Sequence, residues 1–197
     1  MQPNITIAGV FRPGQKAQGL LYDAIVVVCG SLLVGLSAQV RFYLPFSPVP
    51  VTAQTFAVLI LGILLGSKRG ALTMVLYLAE GLSGLPVFAG GIGFSALLGP
   101  TGGFLVGFIP AAYVAGRLAE MGCDRRITTT IAAMVIGNVV LYLFGVGWLT
   151  ILTDVKTALI TGLFPFIAGD VLKVMIAAVS LPAVWKLLGY LNIHRQR

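Results

Sequence analysis

The chain has 197 residues, 58% of them hydrophobic and only 10% charged, with a mean hydropathy of +1.00. A soluble domain carries about 25% charged residues, so a cytosolic enzyme, a nucleic-acid reader and a disordered tail are excluded. The net charge of +7 is spread thinly among apolar stretches, which fits orientation in a bilayer rather than binding to nucleic acid.

In chain order, a polar segment 1–19 precedes the first apolar run, and that run is too long for the core of a cleavable signal peptide. Six apolar stretches follow, at 20–42, 51–67, 71–88, 103–121, 127–149 and 165–189, each near the ~20 residues that cross a bilayer. They predict an all-α integral membrane protein: one domain, 1–197, with a six-helix bundle over 20–189 and a basic tail over 190–197. Pro45, Pro48 and Pro50 end the first stretch. Ser67-Lys68-Arg69-Gly70 is expected to turn after the second, Cys123-Asp124-Arg125-Arg126 follows the fourth, and Pro165 opens the sixth. Cys29 and Cys123 lie far apart with no CxxC and no partnering His, so neither a disulfide nor a metal site is expected. The single histidine, His194, reads as a solvated tail residue.

The charges set the orientation. With the N-terminus inside, ten of the 13 Lys and Arg fall in cytoplasmic segments, two (Arg41 and Lys156) fall outside, and Lys173 lies within the sixth span. That asymmetry follows the positive-inside rule and puts both termini in the cytoplasm.

Between the third and fourth spans, Gly81–Gly103 holds eight glycines in 23 residues and no Lys, Arg, Asp or Glu. Apolar, glycine-rich backbone at a membrane boundary reads as a re-entrant cap over a cavity, the alternative being a plain flexible connector. In the sixth span Asp170 and Lys173 are three residues apart and share a helix face. Buried charges at this depth cost about 2.5–3.5 kcal/mol each, so they face the bundle interior, as ligand contacts or as an ion pair that ties helices together. Gln54 and Thr52 open the second span, and Asn138 and Tyr142 share one face of the fifth. Each amide serves either a polar cavity or interhelical bonding. Ser31 and Gly35 in the first span have the small-residue spacing of close helix contacts. The chain has no G-x-x-x-x-G-K-[ST] and no HExxH. Tyr22-Asp23 with Gly169-Asp170 resembles intramembrane aspartyl proteases only faintly. The two carboxylates fall at opposite ends of the bundle and cannot share a proton.

Phe46-Ser47-Pro48-Val49-Pro50-Val51-Thr52-Ala53-Gln54-Thr55 resembles the segment before the second span of BioY proteins, the biotin-binding S components of energy-coupling factor (ECF) transporters. Gly84-Leu85-Pro86-Val87-Phe88-Ala89-Gly90-Gly91 and Ala96-Leu97-Leu98-Gly99-Pro100-Thr101-Gly102-Gly103 resemble that family's cap motif. Gly169-Asp170-Val171-Leu172-Lys173 resembles its G-D-x-x-K motif. The likeness covers about residues 20 to 190. The first helix departs from the family's Ala-x-x-x-Ala docking pattern, with Val27 and Ser31 in its place; a shifted pair would be Ser31 and Gly35.

The resemblance implies a multi-pass protein of a prokaryotic cell membrane that captures biotin on the outer side. It would deliver biotin inward with a transmembrane coupling subunit and two cytoplasmic ATPase subunits. It implies a non-enzymatic chain with no cofactor and no metal, whose partners are biotin, membrane lipid and those subunits, not nucleic acid. The implied biotin site comprises Asp170, Lys173, Gln54 and Asn138, with Phe88, Gly90, Gly91, Phe94, Ser95 and Thr101 from the cap. Ser31 and Gly35 would dock the coupling subunit. A proton-coupled secondary transporter of a small vitamin-like carboxylate and a ligand-free structural subunit are the competing readings.

Overall fold

The computed structural model describes residues 5–195, and for 191–195 the backbone alone, so the side chain of His194 and the last two residues of the tail lie outside the described residues. The order is α1 (Ile7–Val10), α2 (Lys16–Gln39), β1 (Arg41–Phe42), β2 (Val51–Thr52), α3 (Gln54–Leu65), α4 (Ser67–Leu82), α5 (Phe94–Leu98), α6 (Gly102–Glu120), α7 (Ile127–Leu152), α8 (Val155–Gly162) and α9 (Phe164–Arg195). Helices α2, α3, α4, α6, α7 and α9 overlie the six expected spans. By length and apolar composition, four stretches of the described residues suffice to cross a membrane: α2, α6, α7 and the α8–α9 run from Val155 to Tyr190. Helix α3 has 12 residues and α4 has 16, about 18 and 24 Å of rise against a hydrocarbon core of ~30 Å.

Several boundaries differ from the sequence reading for local reasons. The second stretch begins as strand, where β1 and β2 pair antiparallel with Arg41 opposite Thr52 and Phe42 opposite Val51. The prolines at 45, 48 and 50 occupy the intervening loop, where no ladder hydrogen bond is required of them. The expected turn at Ser67–Gly70 is instead the first turn of α4. The reversal is made one residue earlier by Gly66, whose φ of +90° favours glycine. Helix α4 ends at Leu82 rather than 88, and α9 runs on through the expected basic tail to Arg195. Both cysteines are free.

The helices approach closely where side chains vanish. A Cβ on Gly62 of α3 would stand 2.5 Å from the Ala112 carbonyl of α6, and one on Gly116 of α6 would meet the backbone of Gly66 and Ser67 at 2.5 Å. A Cβ on Gly70 of α4 would lie 2.8 Å from the Gly62 Cα. Helices α6 and α7 meet in the same way, with Gly103 against Trp148 and Gly145 against Phe104. Small residues at such contacts are how helices gain dispersion energy in a solvent as apolar as their own side chains. The outward surface remains apolar: Leu36, Leu143 and Val179 are all about two-thirds exposed (66%, 69% and 66%). In water that pattern would be a liability; against lipid tails it is the ordinary surface.

Charge divides the molecule into two unlike ends. At the basic end Asp23 pairs with Arg12 at 2.9 Å and Arg69 at 3.3 Å. Glu120 accepts from the Ser67 N–H and hydroxyl, both at 2.8 Å, and pairs with Arg117 at 3.2 Å. The α6–α7 loop buries Asp124 fully; it accepts from Trp185 Nε1 of α9 at 2.6 Å, and the Arg125 guanidinium lies 4.7 Å over that indole. At the other end the β1–β2 hairpin, the 83–101 segment and α8 come together. Asp154 caps α8 by accepting from the Thr157 N–H at 3.1 Å, and Ser47 donates to the Thr161 carbonyl at 2.7 Å.

Two predictions follow from this packing. Adding a methyl against a backbone oxygen costs about 1–3 kcal/mol, so Gly62→Ala should lower the unfolding midpoint of the detergent-purified chain by several degrees. Gly147→Ala, in α7 with nothing within 4 Å of the added carbon, should leave it unchanged or raise it. Burial pushes the Asp124 carboxyl above its ordinary value, against hydrogen bonds from Trp185 and its own amide and the nearby Arg125, which pull it down. The folded state therefore holds that proton more tightly than the unfolded chain, and this group's contribution to stability declines as pH rises above about 4. Asp124→Asn keeps an acceptor for Trp185 and removes that decline. Its midpoint relative to wild type should therefore improve as pH rises; two parallel profiles would contradict the assignment.

Candidate functional site

The end away from the basic cluster encloses a cavity of about 40 Å³. One wall is Gln54 and Thr55 at the start of α3, with Val49, Pro50 and Thr52 just before them. The 83–101 segment supplies Ala89 and Gly90, followed by Thr101 at the entrance to α6. The opposite wall is aromatic, with Phe104 and Phe108 from α6, Tyr142 from α7 and Phe166 from α9. Phe104 stands edge-on to Tyr142, with ring centroids 6.3 Å apart, and 6.2 Å from Phe166.

Behind the walls stand the two charged residues of α9. The Tyr142 hydroxyl donates to Asp170 Oδ2. Lys173 Nζ reaches Asp170 Oδ1 at 3.2 Å and donates to the Thr55 hydroxyl at 2.7 Å. Asp170 is 7% exposed. The expected helix-face pair is present, but it meets the cavity through two neutral hydroxyls, Tyr142 and Thr55. A buried ion pair is tolerable only when its remaining hydrogen-bonding capacity is met, and these two hydroxyls meet part of it.

Gln54 is buried and donates to the Tyr77 hydroxyl at 2.6 Å; Tyr77 in turn donates to the Val87 carbonyl at 3.1 Å. That relay ties the α3 wall to the 83–101 segment. The segment's backbone is held by hydrogen bonds from several sides. Arg41 Nη1 and the Tyr43 hydroxyl donate to the Ala89 carbonyl at 2.9 and 3.0 Å, Gln39 to the Pro86 carbonyl at 3.2 Å, and Trp148 Nε1 to the Gly99 carbonyl at 3.0 Å. At Gly90 a Cβ would press within 2.9 Å of the Thr101 methyl, so the close approach that forms the cavity roof requires glycine there.

Of the ten residues expected in the biotin site, Gln54, Gly90 and Thr101 line the cavity, with Asp170 and Lys173 one layer behind. The others are elsewhere. Phe88 is buried edge-on to Tyr77 and over Gly81, where it anchors the segment without lining the cavity. Gly91, with φ of +145°, shapes the turn beside Ala96. Phe94, 66% exposed, and Ser95, whose hydroxyl returns to the Ile92 carbonyl, are on the outer side of α5. Asn138 opens into a separate groove between α7 and α9, which Tyr142 and Asp170 also border. Ser31 and Gly35 are buried: Ser31 donates to Glu80 Oε1 of α4 at 2.8 Å, and a Cβ on Gly35 would touch Val87 at 3.3 Å. They serve packing within the chain, which corrects their expected place on a docking face.

Tyr142 and the phenylalanines at 104, 108 and 166 are the contributors that sequence reasoning passed over or left as minor. Only Tyr142 carried a signal, four residues from Asn138 on a shared face.

A model of the BioY family matches residues 12–190. A "Biotin transporter BioY" of Rhizobium etli is 40% identical over 179 residues, covering 86% of this chain and 91% of that protein. One of the same name from Thermotoga maritima is 39% identical over 138 residues, covering 69% and 80%. Among solved structures, the S-component for biotin from an ECF-type ABC transporter, a crystal structure at 2.1 Å, matches with a TM-score of 0.76. It shares 24% identity and covers 88% of this chain and 95% of that one, a likeness of fold.

Proposed function

The chain belongs to the BioY family, and we propose that it is the biotin-binding specificity subunit of an energy-coupling factor transporter. In this reading helices α2, α3, α4, α6, α7 and α9 form a six-helix bundle in a prokaryotic cell membrane with both termini and the basic end in the cytoplasm, and the cavity opens outward under the 83–101 cap. The observation that carries the ligand assignment is the cavity's composition: an aromatic wall that includes Tyr142, facing Thr55, with Asp170 and Lys173 bonded behind these two hydroxyls. Biotin presents matching chemistry. Its thioether ring and alkyl chain suit Phe104, Phe108 and Phe166. Its ureido group offers two N–H donors for Asp170 and Tyr142 oxygens, and its carboxylate suits Lys173.

A cavity of about 40 Å³ is far below the ~300–1,000 Å³ of ordinary ligand pockets, so binding requires the walls to part. The 43–50 loop and the cap are the parts of the cavity's border that belong to no long helix, and their displacement would admit the ligand. Reclosure would remove water from the Asp170–Lys173 pair, strengthening each polar contact.

The sequence holds no phosphate-binding loop, so the energy for transport comes from partners: a transmembrane coupling subunit and two cytoplasmic ATPases. The docking face in this reading is the outward ridge of α2, Leu21, Ile25, Cys29, Leu32 and Leu36, opposite the buried side that holds Ser31 and Gly35.

Calorimetric titration of the detergent-purified chain should give heat with biotin and none with thiamine or riboflavin. Hydrogen bonds to charged groups contribute about 1.5–3 kcal/mol, so Asp170→Asn should weaken biotin roughly ten- to a hundredfold, and Tyr142→Phe roughly tenfold. Lys173→Met should weaken biotin more than biotin amide, which lacks the carboxylate. Wild-type affinity in monodisperse Asp170→Asn protein would remove that residue from the site.

A second expectation separates the two faces of α2. The Ile25→Trp, Leu32→Trp double variant should bind biotin normally but no longer co-purify with the coupling subunit. Ser31→Trp, placed in the interior, should lose folded yield outright. A double variant that still co-purifies would move docking off this ridge.

A further inference from the structure

The basic end carries two adjoining depressions of opposite character, neither of which biotin binding uses. The first, of about 540 Å³, lies between α1, the start of α4 and the end of α6, and is lined by Arg12, Lys68, Arg69 and Arg117 with Ser67 and Glu120. The second, of about 500 Å³, runs along the membrane-facing surface between α2 and α4 and is walled by Leu20, Ala24, Val28, Leu72 and Leu76. Lys68 and Arg69 border both, and Asp23 stands at the head of the second.

The charges in this region do not balance. Four cations face two carboxylates: Asp23 is shared between Arg12 and Arg69, and Glu120 is taken by Arg117 and Ser67. Among the described residues, Lys68 makes no ion pair, and the buried Nη1 of Arg69 has no hydrogen-bond partner. A polar depression with surplus positive charge that continues into an apolar trough has the shape and polarity of an amphiphile.

We propose that the two depressions form one binding site for an anionic phospholipid, its phosphate against Lys68, Arg12 and Arg117 and an acyl chain in the α2–α4 trough. Phosphate oxygens accept several N–H bonds at once, and guanidinium groups present the matching fork. A zwitterionic lipid brings its own cation into a region already in positive excess, so the site discriminates by headgroup charge. The trough separates a lipid from a free anion, since only a lipid has an acyl chain to pack against Leu72 and Leu76. The site is independent of the biotin assignment.

The test is native mass spectrometry of the full chain, released from mixed micelles containing dioleoylphosphatidylglycerol or dioleoylphosphatidylcholine. With each net basic residue contributing about 1 kcal/mol, phosphatidylglycerol should be retained roughly tenfold or more over phosphatidylcholine. Lys68→Gln should reduce that preference roughly fivefold. Ala24→Trp, which fills the trough, should reduce phosphatidylglycerol retention as well. Lys156→Gln, at the far end, should change nothing, and inorganic phosphate should not displace the lipid. A single monodisperse peak in size-exclusion chromatography and an unchanged thermal unfolding midpoint report that each variant is folded. Equal retention of the two lipids, an equal loss from Lys156→Gln, or displacement by millimolar phosphate would each overturn the proposal.

Discussion

Everything else in the molecule depends on how closely α3, α4 and α6 approach one another. Gly62, Gly70 and Gly116 bring backbone against backbone, and no larger side chain fits without parting the helices. This contact sets where α3 begins as well as where it ends. With its C-terminal half fixed against α6, its first turn delivers Gln54 and Thr55 to the cavity opposite Phe104 and Phe108 of the same neighbour. The cavity is thus the widening that remains beyond the point where the glycines hold the helices together.

Few polar side chains are buried in this bundle, and several of them bond across helices. Tyr142 of α7 meets Asp170 of α9, Lys173 of α9 meets Thr55 of α3, Gln54 of α3 meets Tyr77 of α4, and Ser31 of α2 meets Glu80 of α4. In lipid an unpaired polar group costs several kcal/mol, so each pair resists separation of its two helices. The same pairs border the cavity at Tyr142, Thr55 and Gln54. A ligand that competes for one of these hydrogen bonds therefore acts at once on the packing of two helices. Binding and helix arrangement are coupled through shared bonds, with no separate relay.

The sequence made some of this legible and hid the rest for definable reasons. Apolar runs long enough to cross a bilayer located the helices, and the three-residue spacing of Asp170 and Lys173 revealed their common face, because charge in such a run is rare. The aromatic wall was not legible. In water the apolar stripe of a helix marks its buried side, but in lipid both sides of α6 and α7 are apolar, and nothing in the pattern marks Phe104 and Phe108 as inward. The cap misled for a related reason: Phe88 and Phe94 sit six residues apart in one glycine-rich segment, one buried and one exposed, with no period to separate them. Ser31 and Gly35 misled because small residues serve contacts within a chain and between chains alike. The reversal at Gly66 was hidden by its brevity, since a single left-handed glycine does the work expected of four residues.

The hydrogen bonds that grip the 83–101 segment end on its carbonyl oxygens: Arg41 and Tyr43 hold Ala89, Gln39 holds Pro86, Tyr77 holds Val87 and Trp148 holds Gly99. A carbonyl is the one group every residue type provides. The instructions for anchoring this segment are therefore written largely in other parts of the chain, and its exposed side chains are free to drift without loosening it. Mutational tolerance should follow that division. Exposed positions such as Ile92 and Leu98 can be exchanged without touching those bonds, while a single change at Arg41 or Trp148, distant in sequence, would unfasten a segment it does not belong to.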